Sequence, residues 1–250
     1  MSESQKWLPW TRTGDLTQPR MLLFPFAGGG ASVFRSWLDA FPASLNILPV
    51  QLPGRETRIN EPALESLDAV IAALVDGLRP LLGRKLVLFG GSMGAIVAHA
   101  LALRLTQDEV PPELLIVGAH AAPHLPRLYP ALHSLRGDAF WDALSSYEGV
   151  PTAVHNNAEL RELLEPMIRA DFAVVERRAP PPVGGLNCPI AAIGGTMDRM
   201  VPPERLQPWQ EMSTGTFSQI QIPGDHFMLM RNPGVLHKTV RELLGGYSIL

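Results

Sequence analysis

The chain has 250 residues, 46% of them hydrophobic and 18% charged, with a formal net charge of −3. Such a composition suits a globular protein with a sizeable buried core, and it offers no electrostatic reason to expect a nucleic acid or an anionic membrane as partner. The single cysteine, Cys188, excludes an intramolecular disulfide and a cysteine-built metal cluster.

In chain order, the first residues lack the basic-then-apolar pattern of a secretory signal. No uninterrupted apolar stretch approaches the ~20 residues needed to span a bilayer, so a cytoplasmic location is expected. Strand-like and helix-like segments then alternate, which predicts a mostly parallel sheet with helices on both faces. Arg20–Phe24 reads as a short buried strand running into the glycine-rich turn 25–30, followed by a helical stretch over 33–41. Residues 46–51 form the next strand and end in Leu52-Pro53-Gly54-Arg55. Leu67, Ile71, Leu74, Val75 and Leu78 recur at helical spacing and predict an amphipathic crossover helix over 64–82. Strands are expected at 85–89, 114–119, 190–194 and Phe217–Ile222, and helices at 95–105, 203–212 and 233–244, the last two with proline in the first turn.

Residues 120–186 interrupt the alternation. They carry no convincing strand, have helical patches at 137–146 and 158–178, and end in Pro180-Pro181-Pro182. The whole of 1–250 is therefore read as a single α/β domain, with 120–186 a helical lid insertion over the carboxyl ends of the strands. Its apolar residues, Leu125, Leu128, Leu132, Leu135, Phe140, Trp141 and Leu144, suit either the lining of a channel or a small core of the insertion's own.

Gly90-Gly91-Ser92-Met93-Gly94 lies between a predicted strand and a predicted helix. A sharp strand-to-helix turn at a serine flanked by glycines is the G-x-S-x-G nucleophile elbow. A serine hydroxyl is a poor nucleophile and needs a base, itself oriented by an acid. Of seven histidines, His99 lies well inside the helix after the elbow and reads as a satisfied core or surface residue. His120 and His124 follow a strand and can line a cavity, His133 and His155 fall in the insertion, and His237 falls in the last helix. His226 follows the last strand in Pro223-Gly224-Asp225-His226-Phe227. The order nucleophile, acid, histidine then asks for an acid at an intervening strand end. Asp198, in Gly194-Gly195-Thr196-Met197-Asp198, fits; Asp225 competes but adjoins the histidine awkwardly. Attack on a carbonyl also needs two N–H donors for the developing oxyanion. Met93, after the nucleophile, supplies one, and Phe26 or Ala27 in the glycine-rich turn the other. That turn lacks the pattern of a dinucleotide or Walker phosphate loop. Cys188, preceding Pro189 at a strand start with no nearby histidine, reads as a buried thiol.

The motifs Phe24-Pro25-Phe26-Ala27-Gly28-Gly29-Gly30-Ala31-Ser32, Leu52-Pro53-Gly54-Arg55, Gly91-Ser92-Met93-Gly94-Ala95, Gly194-Gly195-Thr196-Met197-Asp198 and Gly224-Asp225-His226-Phe227 together resemble those of type II thioesterases. These are discrete α/β-hydrolases that accompany polyketide synthases and non-ribosomal peptide synthetases and are related to the medium-chain fatty-acyl thioesterases. The resemblance implies hydrolysis of acyl groups from the phosphopantetheine arm of acyl or peptidyl carrier proteins, an editing activity. It implies Ser92 as nucleophile, His226 as base, Asp198 as its orienting acid, and Phe26 with Met93 as backbone oxyanion donors. It implies no metal and no redox cofactor, since the substrate brings the phosphopantetheine, and a monomer whose partner is the carrier protein. Two positions depart from the family: Gly91 stands where histidine usually precedes the nucleophile, and Phe26 where histidine is frequent. A carboxylesterase or lipase on oxygen esters, and an inert hydrolase-fold binding protein, are the competing readings.

Overall fold

A computed structural model describes residues 3–10, 17–83, 85–145 and 152–250. Six strands carry the fold: β1 (Arg20–Phe24), β2 (Asn46–Pro49), β3 (Leu86–Gly91), β4 (Leu114–Gly118), β5 (Ile190–Gly195) and β6 (Phe217–Ile222). They lie in the order β2-β1-β3-β4-β5-β6, every neighbouring pair parallel. Every residue of β1, β3, β4 and β5 is buried. A parallel sheet is covered on both faces, which is why these strands are unbroken apolar runs rather than alternating ones.

The helices are α1 (Glu3–Trp7), α2 (Trp37–Ala40), α3 (Leu67–Leu78), α4 (Met93–Gln107), α5 (Asp138–Ser145), α6 (Thr152–His155), α7 (Ala158–Glu176), α8 (Met228–Arg231) and α9 (Pro233–Gly246). Successive strand side chains point to opposite faces. Leu22, Leu86, Leu88 and Leu115 therefore pack under Leu74, Val97 and Leu101 of α3 and α4. Met21, Val87, Phe89 and Ile116 pack under Trp37 of α2 and Leu236 and Val240 of α9. Ser66 caps α3, its side chain accepting the Ala69 N–H at 3.3 Å.

Two predicted helices take another form. Residues 33–41 become a 3-10 turn, Ala31–Phe34, and the short α2. The span between Gly30 and Pro42 is brief and carries Ser32, Val33 and Ser36, weak helix formers unable to sustain a longer α-helix. Residues 203–212 become two 3-10 turns, Pro203–Arg205 and Gln207–Met212, because Pro208, in the middle of the span, has no N–H to place in an α-helical ladder.

After β2 the chain returns to the other side of β1 to form β3, and the later strands continue outward from there. The reversal opens a crevice at the carboxyl ends of β1 and β3, where an open α/β sheet binds its ligands. β3 enters α4 through Ser92 alone, at φ 51° and ψ −117°. This left-handed backbone is uncommon for a residue with a side chain and persists only where the surroundings impose it. The surroundings do so by close approach. A Cβ on Gly90 would lie 2.0 Å from the Gly94 carbonyl oxygen, and one on Gly94 would lie 2.1 Å from that of Phe24 in β1. The Ser92 N–H donates to the Gly118 carbonyl of β4 at 2.8 Å and fixes the turn from the other side.

Between β4 and β5 the chain makes α5, α6 and α7, with no strand among the described residues of that segment. Leu132, Phe140, Trp141, Leu144, Met167 and Ile168 form an apolar cluster separate from the two that cover the sheet. At the elbow, Gly94→Ala is expected to lower unfolding stability by about 3 kcal/mol or to prevent folding. Urea denaturation of the variant against wild type measures this; an unchanged midpoint would mean that β1 and α4 are not as closely apposed as described.

Candidate active site

Asp198 follows β5 and His226 follows β6, so both stand with Ser92 at the carboxyl edge of the sheet. The Asp198 carboxylate is fully buried and completely paired. Its Oδ1 accepts the N–H groups of Met200 and Val201 at 2.8 and 2.9 Å. Its Oδ2 accepts from His226 Nδ1 at 2.9 Å. That bond places the ring proton on Nδ1 and leaves Nε2 as the basic nitrogen. Ser92 and His226 line one cavity of about 530 Å³. Among the described residues no hydrogen bond joins the two; bonds of this kind are often long or unformed before a substrate binds. Asp225, the competing acid, is engaged elsewhere: it accepts the Phe227 N–H at 2.9 Å and pairs with Arg231.

The glycine-rich loop after β1 forms the opposite rim. The Gly29 N–H donates to the Phe26 carbonyl at 2.9 Å and closes the loop into a turn. Among the described residues the N–H groups of Phe26, Ala27 and Met93 find no protein acceptor, and all three residues line the cavity. As the first residue of α4, Met93 has no intrahelical partner for its N–H.

A buried ion pair holds this loop. Arg55 donates through both terminal nitrogens to Asp171 of α7, each bond 2.7 Å long, and the two side chains are 4% and 2% exposed. Asp171 Oδ2 also accepts the Gly28 N–H at 2.7 Å, and Arg55 donates to the Gly29 carbonyl at 3.1 Å. Gln51 adds an acceptor for the Ala31 N–H at 3.1 Å. Arg55 stood out in the sequence only as part of a motif, and Asp171 did not stand out at all. The available signal was a lone carboxylate among Met167, Ile168, Ala170, Ala173 and Val174, the buried positions of α7.

Much of the cavity wall is apolar, with Leu144, Leu164, Met167, Ile168, Phe172 and Val175 among its lining residues. The apolar residues of the insertion divide between the two roles expected of them. Leu125 and Leu128 line the cavity, Phe140, Trp141 and Leu132 sit in the insertion's own cluster, and Leu144 belongs to both.

The other histidines are accounted for. His120 lines the cavity, His133 bonds to Glu176 at 2.6 Å, and His155 to Ser145 at 3.0 Å. His124 approaches the Met212 sulfur at 3.1 Å. His237 packs edge-on against Trp37, ring centroids 5.0 Å apart. His99 is buried against Trp209, but it is not the satisfied residue expected, since its Nε2 has no partner. Burial, aided by the charge of Arg178, pushes its pKa down to about 3. Burial likewise pushes the Cys188 thiol up to about 11, keeping it unreactive.

A profile of the thioesterase domain family matches residues 19–243. The gramicidin S biosynthesis protein GrsT of Aneurinibacillus migulanus is 34% identical over 230 residues, which cover 92% of this chain and 90% of that protein. The solved structure of the type II thioesterase BorB from the borrelidin biosynthetic cluster superposes with a TM-score of 0.82 at 30% identity, covering 94% of this chain and 95% of that one. RedJ, a thioesterase from the prodiginine pathway in Streptomyces coelicolor, gives 0.83 at 31% identity, covering 96% and 94%. The chain belongs to the thioesterase family. The motif resemblance is thereby borne out, together with the α/β-hydrolase fold. This thioesterase carries its two departures at unlike places: Gly91 is the buried last residue of β3, paired with Gly118, whereas Phe26 faces the cavity. Among the described residues no helix is long and apolar enough to cross a membrane.

Asp171→Ala leaves the Arg55 guanidinium buried without its carboxylate and is expected to destabilise the thioesterase by about 3–5 kcal/mol; equilibrium unfolding in urea checks this. His99 yields a pH dependence. Below about pH 6.5 the unfolded chain takes up a proton there that the folded chain refuses until about pH 3, so stability falls as the pH drops through that window. His99→Phe is expected to relieve about 3 kcal/mol of that loss near pH 4. Unfolding free energies of both proteins at neutral and acid pH would show it as a flatter acid limb.

Proposed function

We propose that the chain is a serine thioesterase that hydrolyses acyl groups from the phosphopantetheine arm of acyl or peptidyl carrier proteins, clearing units that stall polyketide or non-ribosomal peptide synthesis. The observation that carries the chemistry is the His226–Asp198 bond, with the free nitrogen of that imidazole and the Ser92 hydroxyl at one cavity. Family membership and the association of GrsT, BorB and RedJ with gramicidin S, borrelidin and prodiginine biosynthesis support the class of substrate.

In this reading His226 Nε2 takes the Ser92 proton as Oγ attacks the thioester carbonyl. Asp198 holds the ring and stabilises the imidazolium. The oxyanion rests on the N–H groups of Met93 and Phe26, with Ala27 the neighbouring candidate, and each such donor contributes about 10²–10³-fold. The thiolate departs readily because an ordinary thiol has a pKa of about 8.5. His226 then activates water, and the acyl-serine is cleaved to the free acid. None of these steps calls for a metal or a redox cofactor. The described residues of the segment 120–186 that line the cavity act in this reading as a roof that restricts the acyl groups that enter, the protein works as a monomer, and the carrier domain delivers the arm.

The same triad serves an oxygen esterase, so the substrate comparison decides between them. With matched acyl groups, kcat/KM on acyl-carrier protein is expected to exceed that on p-nitrophenyl oxygen esters. The reverse order would favour the esterase reading. Asp198→Asn is expected to lower kcat by about 10⁴ with its fold retained by circular dichroism; a near-normal rate in that variant would remove Asp198 from the triad.

A further inference from the structure

The hydrolytic steps leave one ring at the Ser92 cavity without a task, that of His120. Its place follows from the sheet. Gly91 of β3 pairs with Gly118 of β4, and neighbouring strands run about 4.8 Å apart. Ser92 and Ala119 therefore leave the sheet side by side, with His120 one residue beyond. The glycine-rich loop follows β1, on the other side of β3.

The ring is held in one orientation. Ala119 is buried at φ 49°, its N–H donating to the Ile193 carbonyl at 3.0 Å. A residue with a side chain keeps that backbone only where its surroundings impose it. The His120 carbonyl accepts the indole N–H of Trp209 at 2.8 Å, and His120 Nδ1 donates to the Ala121 carbonyl at 2.6 Å. A carbonyl only accepts, so Nδ1 carries the proton and Nε2 a lone pair. Burial, and after it the charges of Arg178, His226 and Arg205, hold the ring's pKa down to about 4 against the opposing pull of the Ala121 bond. The ring is therefore neutral near pH 7. Among the described residues Nε2 has no protein donor and, unlike the sealed Nε2 of His99, it keeps surface open to the cavity. An acceptor left bare in a largely apolar cavity gains when a substrate brings it a donor. Arg178 and Arg205 oppose an ammonium there, which leaves a neutral N–H or O–H.

The two ends of the cavity differ. Beside β5 and β6 it is lined by Leu128, Tyr129 and Met230, all exposed. The Tyr129 hydroxyl donates there to the Arg199 carbonyl at 3.3 Å, and Met230 belongs to α8. At the β1 end, Ile168 of α7 lies over the glycine-rich loop, 3.6 Å from where a Cβ on Gly28 would stand. Leu144, Met167 and Ile168 belong there both to the cavity wall and to the buried cluster of the insertion. The enclosed apolar end suits an acyl chain, and an arm tethered to a carrier enters at the open one. Since β4 lies between β3 and β5, His120 stands on the arm's path, next to the nucleophile.

We propose that His120 is a substrate-binding residue whose Nε2 accepts the N–H of the amide nearest the sulfur in the pantetheine arm, so that the enzyme selects thioesters carrying that amide over those that lack it. The inference rests on the thioester-hydrolase reading and names how its leaving group is recognised.

Butyryl thioesters of N-acetylcysteamine and of mercaptoethyl acetate differ only in having N–H or oxygen at the position in question. Wild-type kcat/KM is expected to be about tenfold higher for the N-acetylcysteamine thioester, the scale of one hydrogen bond and of the bare acceptor its loss leaves. His120→Phe, which keeps a ring but no acceptor, is expected to bring that ratio to about one, and His120→Gln, whose amide oxygen can accept, to retain most of it. Equal rates on the two thioesters in wild type would overturn the proposal, as would a ratio that His120→Phe leaves intact. A preference for hydroxybutyryl over butyryl N-acetylcysteamine thioester that His120→Phe abolishes would assign His120 to the acyl chain and overturn it too. Failure to hydrolyse any of these thioesters would bring down the hydrolase reading itself and this proposal with it.

Discussion

The site depends on one backbone constraint, the direct joining of β3 to α4 at a residue held in the left-handed region. The start of α4 lies so close to the end of β3 that Gly90 admits no side chain, and so close to β1 that Gly94 admits none. With no slack on either side, Ser92 has to take φ 51°. Its side chain therefore stands off the end of the strand, while the first N–H groups of α4 are left without helical partners. The same turn thus presents the hydroxyl and the free N–H that the proposed mechanism uses as nucleophile and oxyanion donor. It lies where the strand order reverses between β1 and β3, which puts the second donor loop next to it without any long excursion of the chain.

A second constraint joins the sheet to the segment above it. The Arg55–Asp171 pair connects the loop after β2 to α7 and, through Gly28 and Gly29, to the glycine-rich turn after β1. A buried ion pair is weak support for stability taken alone, since desolvation offsets much of its attraction. Here it has a geometric effect: three chain segments remote in sequence meet at two side chains, and a loop rich in glycine is held to one shape. Any shift of α7 would be transmitted to that loop through Asp171.

Much of the fold and of the site was legible in the sequence. Strands β1, β3, β4 and β5 are buried on both faces, so their apolar runs announced them, and an elbow needs glycines that no other structure explains so well. The Asp198–His226 pairing was legible because chain order and strand ends restrict where the partners of an elbow serine can stand; only coordinates could show that Asp225 turns to Arg231 instead. What remained hidden depended on contacts between distant positions. Asp171 is an ordinary charged residue until the fold sets it against Arg55. The 3-10 turns at 31–34 and 203–212 were missed because apolar spacing looks alike in both helix types, while proline content and short span decide between them.

Covalent chemistry at the elbow can be observed directly. Protein quenched in acid during turnover of an acyl-pantetheine thioester, then digested and sequenced by mass spectrometry, should carry the acyl mass on the peptide containing Ser92, and on its hydroxyl. An acyl group on another residue, or hydrolysis that persists in Ser92→Ala at the wild-type rate, would contradict Ser92 as the attacking group.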